Sequence, residues 1–116
     1  MPHVVLNGDV RLRDIFEKMQ PLTTRDDHSI LRTLKKYIDV EEKSILTEAL
    51  VIEKGRRISF LALLSSREDG IVVRIYPGSN VEKTDGVKRL LAEIAKNLLD
   101  TFPNLSVGKT NLQDFL

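Results

Sequence analysis

A chain of 116 residues is the length of one domain, enough to bury roughly two thirds of its unfolded surface without metal or disulfide staples. Apolar residues at 41% and charged residues at 30% describe a folding sequence, and the absence of cysteine excludes disulfides, zinc–thiolate sites, iron–sulfur clusters and thiol catalysis. Eighteen Lys plus Arg balance seventeen Asp plus Glu, so no global field draws in nucleic acid or anionic lipid.

Val4-Val5-Leu6 reads as a short strand. Asn7-Gly8-Asp9 then allows either a hairpin back onto residues 10–12 or a helix capped by Asp9. Leu12, Ile15, Phe16 and Met19 fall on one helical face before Pro21, which favours strand, turn, helix. A second helix is predicted to start at Thr24 to Asp27, where side-chain oxygens suit the free first-turn amides. Ile30, Leu31, Leu34, Tyr37 and Ile38 follow at helical spacing, with Arg32, Lys35 and Lys36 opposite.

From Ser44 the period changes to two. Strands are predicted at 44–53, 57–65 and 71–76, with turns at Lys54-Gly55 and Arg67-Glu68-Asp69-Gly70. Connections this short make an antiparallel meander. Ile58, Phe60, Ala62 and Leu64 share the core face with Ile71, Val73 and Ile75. Leu61, Leu63, Val72 and Tyr76 lie on the opposite face among Ser59, Ser65 and Arg74, and that face is too apolar to stand bare. The N-terminal helices or a second copy of the chain are expected to cover it.

Ser79 and Glu82 have capping-box spacing, with Asp85 as a rival cap. Val87, Leu90, Leu91, Ile94, Leu98 and Phe102 then form the clearest helical stripe in the chain, ended by Pro103. The tail carries Leu105, Val107, Leu112, Phe115 and Leu116 and is expected to dock. The expected fold is α+β: one domain over 1–116, a three-stranded antiparallel meander with a long C-terminal helix on one face and two N-terminal helices. Meander and helix over 44–102 resemble the second half of several small sensor and scaffold folds, including profilin-like, PAS-like and roadblock-type modules. The likeness is of topology and spacing alone and assigns no residue a role.

Gly108-Lys109-Thr110 matches the end of a phosphate-binding loop, but Pro103 stands where that motif needs glycine and only six residues follow Thr110. It reads as a turn before the docked tail. Lys54-Gly55-Arg56-Arg57 is the densest basic cluster, and Lys88 and Arg89 could extend a phosphate grip. Single-strand binding would also require exposed aromatics nearby, and Phe16, Phe60 and Phe102 belong to core patterns. Asp26-Asp27-His28 has no metal-ligand spacing with His3, Glu41 or Glu42, and Ser65 and Ser66 lack a nucleophile context. Arg74, mid-strand, is expected either to pair with Glu48 or to line an anion pocket with Tyr76 and Ser59.

No signal or membrane-spanning stretch is evident, since the longest apolar run is ISFLALL at 58–64, so a cytoplasmic protein is expected. The leading expectation is a non-enzymatic regulatory or scaffolding module without cofactor or metal. It would act through protein association, as a homodimer, with Leu61, Leu63, Val72, Phe115 and Leu116 at the interface. The alternative is a nucleic-acid or phosphorylated-ligand binder using Lys54, Arg56 and Arg57 with Lys88 and Arg89, and a small enzyme holding an anionic ligand at Arg74 and Tyr76 comes third.

Overall fold

Lys54 and Gly55 adopt φ of 51° and 71°. Positive φ at both central residues makes the two-residue hairpin whose twist matches that of paired strands. The turn joins β4 (Ser44–Glu53) to β5 (Arg56–Arg67) in an unbroken ladder from Glu53↔Arg56 to Ser44↔Ser65. A second short turn leads into β6 (Gly70–Ile75), which pairs antiparallel with β5.

The computed structural model describes residues 1–116 and extends this centre on both sides. The other strands are β1 (His3–Asn7), β2 (Thr23–Arg25), β3 (Ser29–Ile38) and β7 (Ser106–Thr110). All seven form one antiparallel sheet, in the order β2-β3-β4-β5-β6-β1-β7, curled into a half-barrel. There are two α-helices, α1 (Leu12–Lys18) and α2 (Asp85–Thr101), and a 3-10 turn at Gln113–Phe115. The sheet is therefore larger than the three-stranded meander expected, and only one short helix precedes it.

The correction centres on residues 24–38, which form the β2–β3 hairpin in place of a second N-terminal helix. Asp26 Oδ1 accepts from the amides of His28 and Ser29, each at 2.7 Å. A helix N-cap makes the same kind of bonds, but here they close a strand turn whose backbone bond runs from Asp26 N to Ser29 O at 3.0 Å. The helical spacing beyond it arises from a β-bulge. Thr33 faces Ala49 and Lys36 faces Thr47, so β3 holds one extra residue opposite Glu48. Before the bulge Leu31 and Thr33 point inward; after it Lys36 and Ile38 do. Ile30 and Tyr37 belong to the other face, so the apparent stripe mixes both faces of a strand.

Inside the curl, α2 lays Val87, Leu90, Leu91, Ile94, Ala95 and Leu98 against Ile45, Val51, Ala62, Leu64, Ile71, Val73 and Ile75. Together with Leu12, Ile15 and Met19 from α1 and its flank, these belong to one core of 24 buried residues. Each fully buried Leu or Ile contributes about 1.5–3 kcal/mol. Neither Ser79 nor Asp85 caps α2; the Thr84 side chain accepts from Val87 N at 3.2 Å. Helix α1, too short to persist alone, is held at its carboxyl end by the Lys36 ammonium, which donates to the carbonyls of Phe16 and Met19.

The tail docks on its own domain. Gly108-Lys109-Thr110 lies within β7, which pairs with β1 across an irregular register, and Leu112 is buried. Thr110 Oγ1 donates to His3 O at 2.7 Å, and Asn111 Oδ1 accepts from His3 N at 2.9 Å. Both sheet edges are short strands, one of them bulged, which limits edge-to-edge pairing. No helix is long and apolar enough to cross a membrane.

Candidate functional site on the outer sheet face

Both helices lie on the inner side of the curl, so no helix of the chain covers the outer face. The register places Ile30, Tyr37, Leu46, Leu50, Ile52, Leu61, Leu63, Val72 and Val5 there. Val5, Leu50 and Leu63 are buried yet stand apart from the main core. This is a second, thin apolar layer, with Leu46, Leu61 and Val72 half-buried at its surface and Leu34 and Tyr37 exposed. The covering helices expected from the sequence are absent because α1 packs into the main core and residues 29–38 are themselves a strand of the sheet.

The bulge shapes this layer into a groove. Leu34, Glu48, Ser59, Phe60 and Leu61 line an open depression of about 350 Å³. At its rim Tyr37 Oη donates to Glu48 Oε2 at 2.8 Å. That bond, reinforced by partial burial and the carboxylate charge, holds the Tyr37 phenol above its ordinary pKa.

The strand charges on this face are one-sided. Arg25, Arg32, Arg57, Arg67 and Arg74 all project outward by register, and Glu48 is the outward carboxylate of the same strands. A chain with net charge +1 therefore presents a basic face, because its acids lie mostly in turns and on the helices. Outward positions of the period-two pattern carry this signal, but only once residues 23–38 are recognised as strands.

The basic cluster at the hairpin tip is divided by strand alternation. Arg56 turns toward Glu82 and makes a two-pronged pair at 2.9 and 3.0 Å, which raises its pKa and lowers that of Glu82. Arg57 joins the outer face, and Lys54 remains at the tip. Arg89 donates to Asp26 Oδ2 at 3.2 Å, tying α2 to the β2–β3 turn, while Lys88 is half-buried on α2. Lys54, Arg56 and Arg89 line one depression of about 470 Å³, which they share with the carboxylates of Asp26, Glu53, Glu82 and Asp85, whereas Arg57 faces the outer side of the sheet.

Arg74 does not pair with Glu48, whose carboxylate is engaged by Tyr37. None of the chain's ion pairs includes Arg74, and its Nε is buried without a partner. Its cross-strand neighbours are His3 and Leu63. Tyr76 is exposed just beyond the end of β6. Of the residues expected at an interface, Leu61, Leu63 and Val72 share the outer face. Phe115 packs against the domain's own core, and Leu116 lies at the surface.

No known protein family, curated protein or solved structure matches the chain.

Proposed function

We propose that the protein is a non-enzymatic association module that binds another protein through the outer face of its sheet. One observation carries the reading: an apolar layer separate from the main core, centred on Leu46, Leu50, Leu61 and Leu63, with no helix over it. Surfaces of this kind mark binding sites when rimmed by polar groups. The rim is arginine, so the complementary partner is an apolar surface ringed by carboxylates. A second copy of the chain is the less favourable occupant. Self-pairing would bring Arg32, Arg57 and Arg74 of both copies together with Glu48 as their main compensation.

The test is NMR titration of the labelled protein with a synthetic amphipathic peptide bearing leucines on one helical face and glutamates around them. Saturable shifts confined to Leu34, Leu46, Leu61 and their neighbours, abolished by Leu61→Glu, support the reading. No saturable binding at this face rejects it. A dimer seen by light scattering and dissolved by Leu61→Glu would put a second copy in the partner's place.

A second reading rests on Tyr37 and Tyr76, which are 48% and 44% exposed, on a domain whose outer sheet face carries Arg32, Arg57 and Arg74. Arginine with accessible aromatics is what a single-stranded nucleic acid requires. Under this reading a short oligonucleotide binds with steep salt dependence, and Arg32→Ala with Arg57→Ala flattens the slope. Salt-independent binding, or none, removes it.

A further inference from the structure

At the β1–β6 corner of the outer face, away from the apolar groove, His3, Ser65, Ser66, Arg67, Val72 and Arg74 line an open depression of about 420 Å³. We propose that this corner is a binding site for a phosphate monoester.

The first warrant is Arg74. A guanidinium held mid-strand with a buried, unpartnered Nε leaves a donor without compensation, which is unfavourable where it stands and favours a turn of the side chain into the depression when an anion there can accept from it. The candidate partner within the chain, Glu48, is committed to Tyr37. The second warrant is the lining, which contains no carboxylate. Asp69 lies nearest to hand, 3.7 Å from Arg67 Nε, and that contact is solvent-exposed, so water and salt weaken it.

The remaining donors fit an anion with three free oxygens. The Ser65 hydroxyl, on the outer side with Val72, bonds to no other group of the protein and is available as a donor, while Ser66, paired with Ile71, lines the depression from the end of β5. His3 Nδ1 donates to Met1 O at 2.9 Å, so the other nitrogen of the neutral ring is an acceptor, and His3 is part of the wall without counting among the donors. Guanidinium forks match phosphate oxygens in pairs, and a monoester carries close to two negative charges at neutral pH, matching Arg67 and Arg74 together. Val72 gives the organic part of the ester an apolar wall. The site lies across β5, β6 and β1, and it does not depend on a protein partner at the groove over β3–β5.

The experiment is NMR titration of the full chain with inorganic phosphate and with phenyl phosphate at constant ionic strength, with acetate as comparator. Saturable shifts at Arg74 Nε–Hε and at the Ser65, Ser66 and Val72 amides are expected, with phenyl phosphate binding more tightly than phosphate and acetate weakest. Arg74→Gln should weaken phenyl phosphate about tenfold or more, as loss of a hydrogen bond to a charged group implies. Arg74→Lys, which keeps the charge but loses the fork, should fall between. Non-saturating shifts, an equal response at Arg25 and Arg57, acetate as tight as phosphate, or unchanged affinity in folded Arg74→Gln would each overturn the assignment. Should Arg74→Gln not fold, Arg67→Gln must weaken binding several-fold, and unchanged affinity there has the same force.

Discussion

Glu53 occupies the space that a side chain on Gly86 would need: a Cβ there would lie 2.6 Å from Glu53 Oε2 and 2.6 Å from Val51 Cγ1. The first turn of α2 thereby approaches the end of β4 closely, and the Glu53 carboxylate sits at the positive end of the helix. Alanine at 86 would improve helix propensity by up to about 1 kcal/mol. Packing outweighs that gain, because Val51 is fully buried and has little room to yield. Gly86→Ala is expected to destabilise by about 1–3 kcal/mol in urea unfolding. In a Val51→Ala background much of that loss should disappear.

The cap of α2 offers a sharper comparison. Thr84→Ala removes the oxygen that accepts from Val87 N and should cost about 1 kcal/mol. Ser79, the cap suggested by the sequence, bonds instead to Tyr76 O in an exposed turn. Ser79→Ala should change stability by no more than about 0.5 kcal/mol. Equal losses from the two variants would mean that α2 begins elsewhere.

Lys36 links the bulge to α1. Its ammonium donates to Phe16 O and Met19 O and stands 4.7 Å from the centre of the Phe16 ring. Lys36→Met leaves those carbonyls without their cation and should cost about 1–3 kcal/mol. Because α1 has only seven residues, the loss should appear locally. Hydrogen exchange is expected to accelerate in 12–19 before the sheet responds.

Two turn carboxylates make stability sensitive to acid. Amide bonds hold both acids below the ordinary aspartate range: Asp26 chiefly through His28 and then Ser29, Asp39 chiefly through Ser44 and then Lys43. A depressed folded value means the stabilisation is complete above the unfolded pKa of about 3.9 and is lost as pH falls through the folded one. Melting temperature should therefore drop between about pH 5 and 3. Asp26→Asn with Asp39→Asn keeps the accepting carbonyls and should flatten that drop, leaving the part due to Asp14 and Glu82. Identical pH slopes in the two proteins would exclude these turns as the cause.

Residues 44–101 were legible because period and turn chemistry agree there: alternation, Lys54-Gly55 and the Leu90-Leu91-Ile94 stripe all indicate the observed elements. Residues 24–38 were not, because one extra residue in β3 shifts the strand's phase and imitates a helical repeat. Asp26 adds to the imitation by making cap-like bonds in a hairpin turn. Strand β7 was obscured by Gly108 and by polar neighbours, which suit an edge strand as well as a loop. The basic outer face is hidden in a whole-chain sum, which cancels charges that alternation sends to different surfaces. The isolation of Arg74 is half visible in the sequence: its mid-strand position can be read, but the capture of Glu48 by Tyr37 cannot, since the spacing around Tyr37 imitates a helix.

The placement of β1 between β6 and β7 has a consequence for how the chain is made. Val4 pairs with Val73 and Thr110, so β1 is synthesised well before either of its sheet partners. Contacts so distant in sequence slow folding, and until they form Val4, Val5 and Leu6 present an unpaired apolar edge. The β3–β6 meander can assemble while β1 waits. During synthesis the domain is therefore most vulnerable to aggregation through β1, and sequestering that strand would protect it more than stabilising the meander.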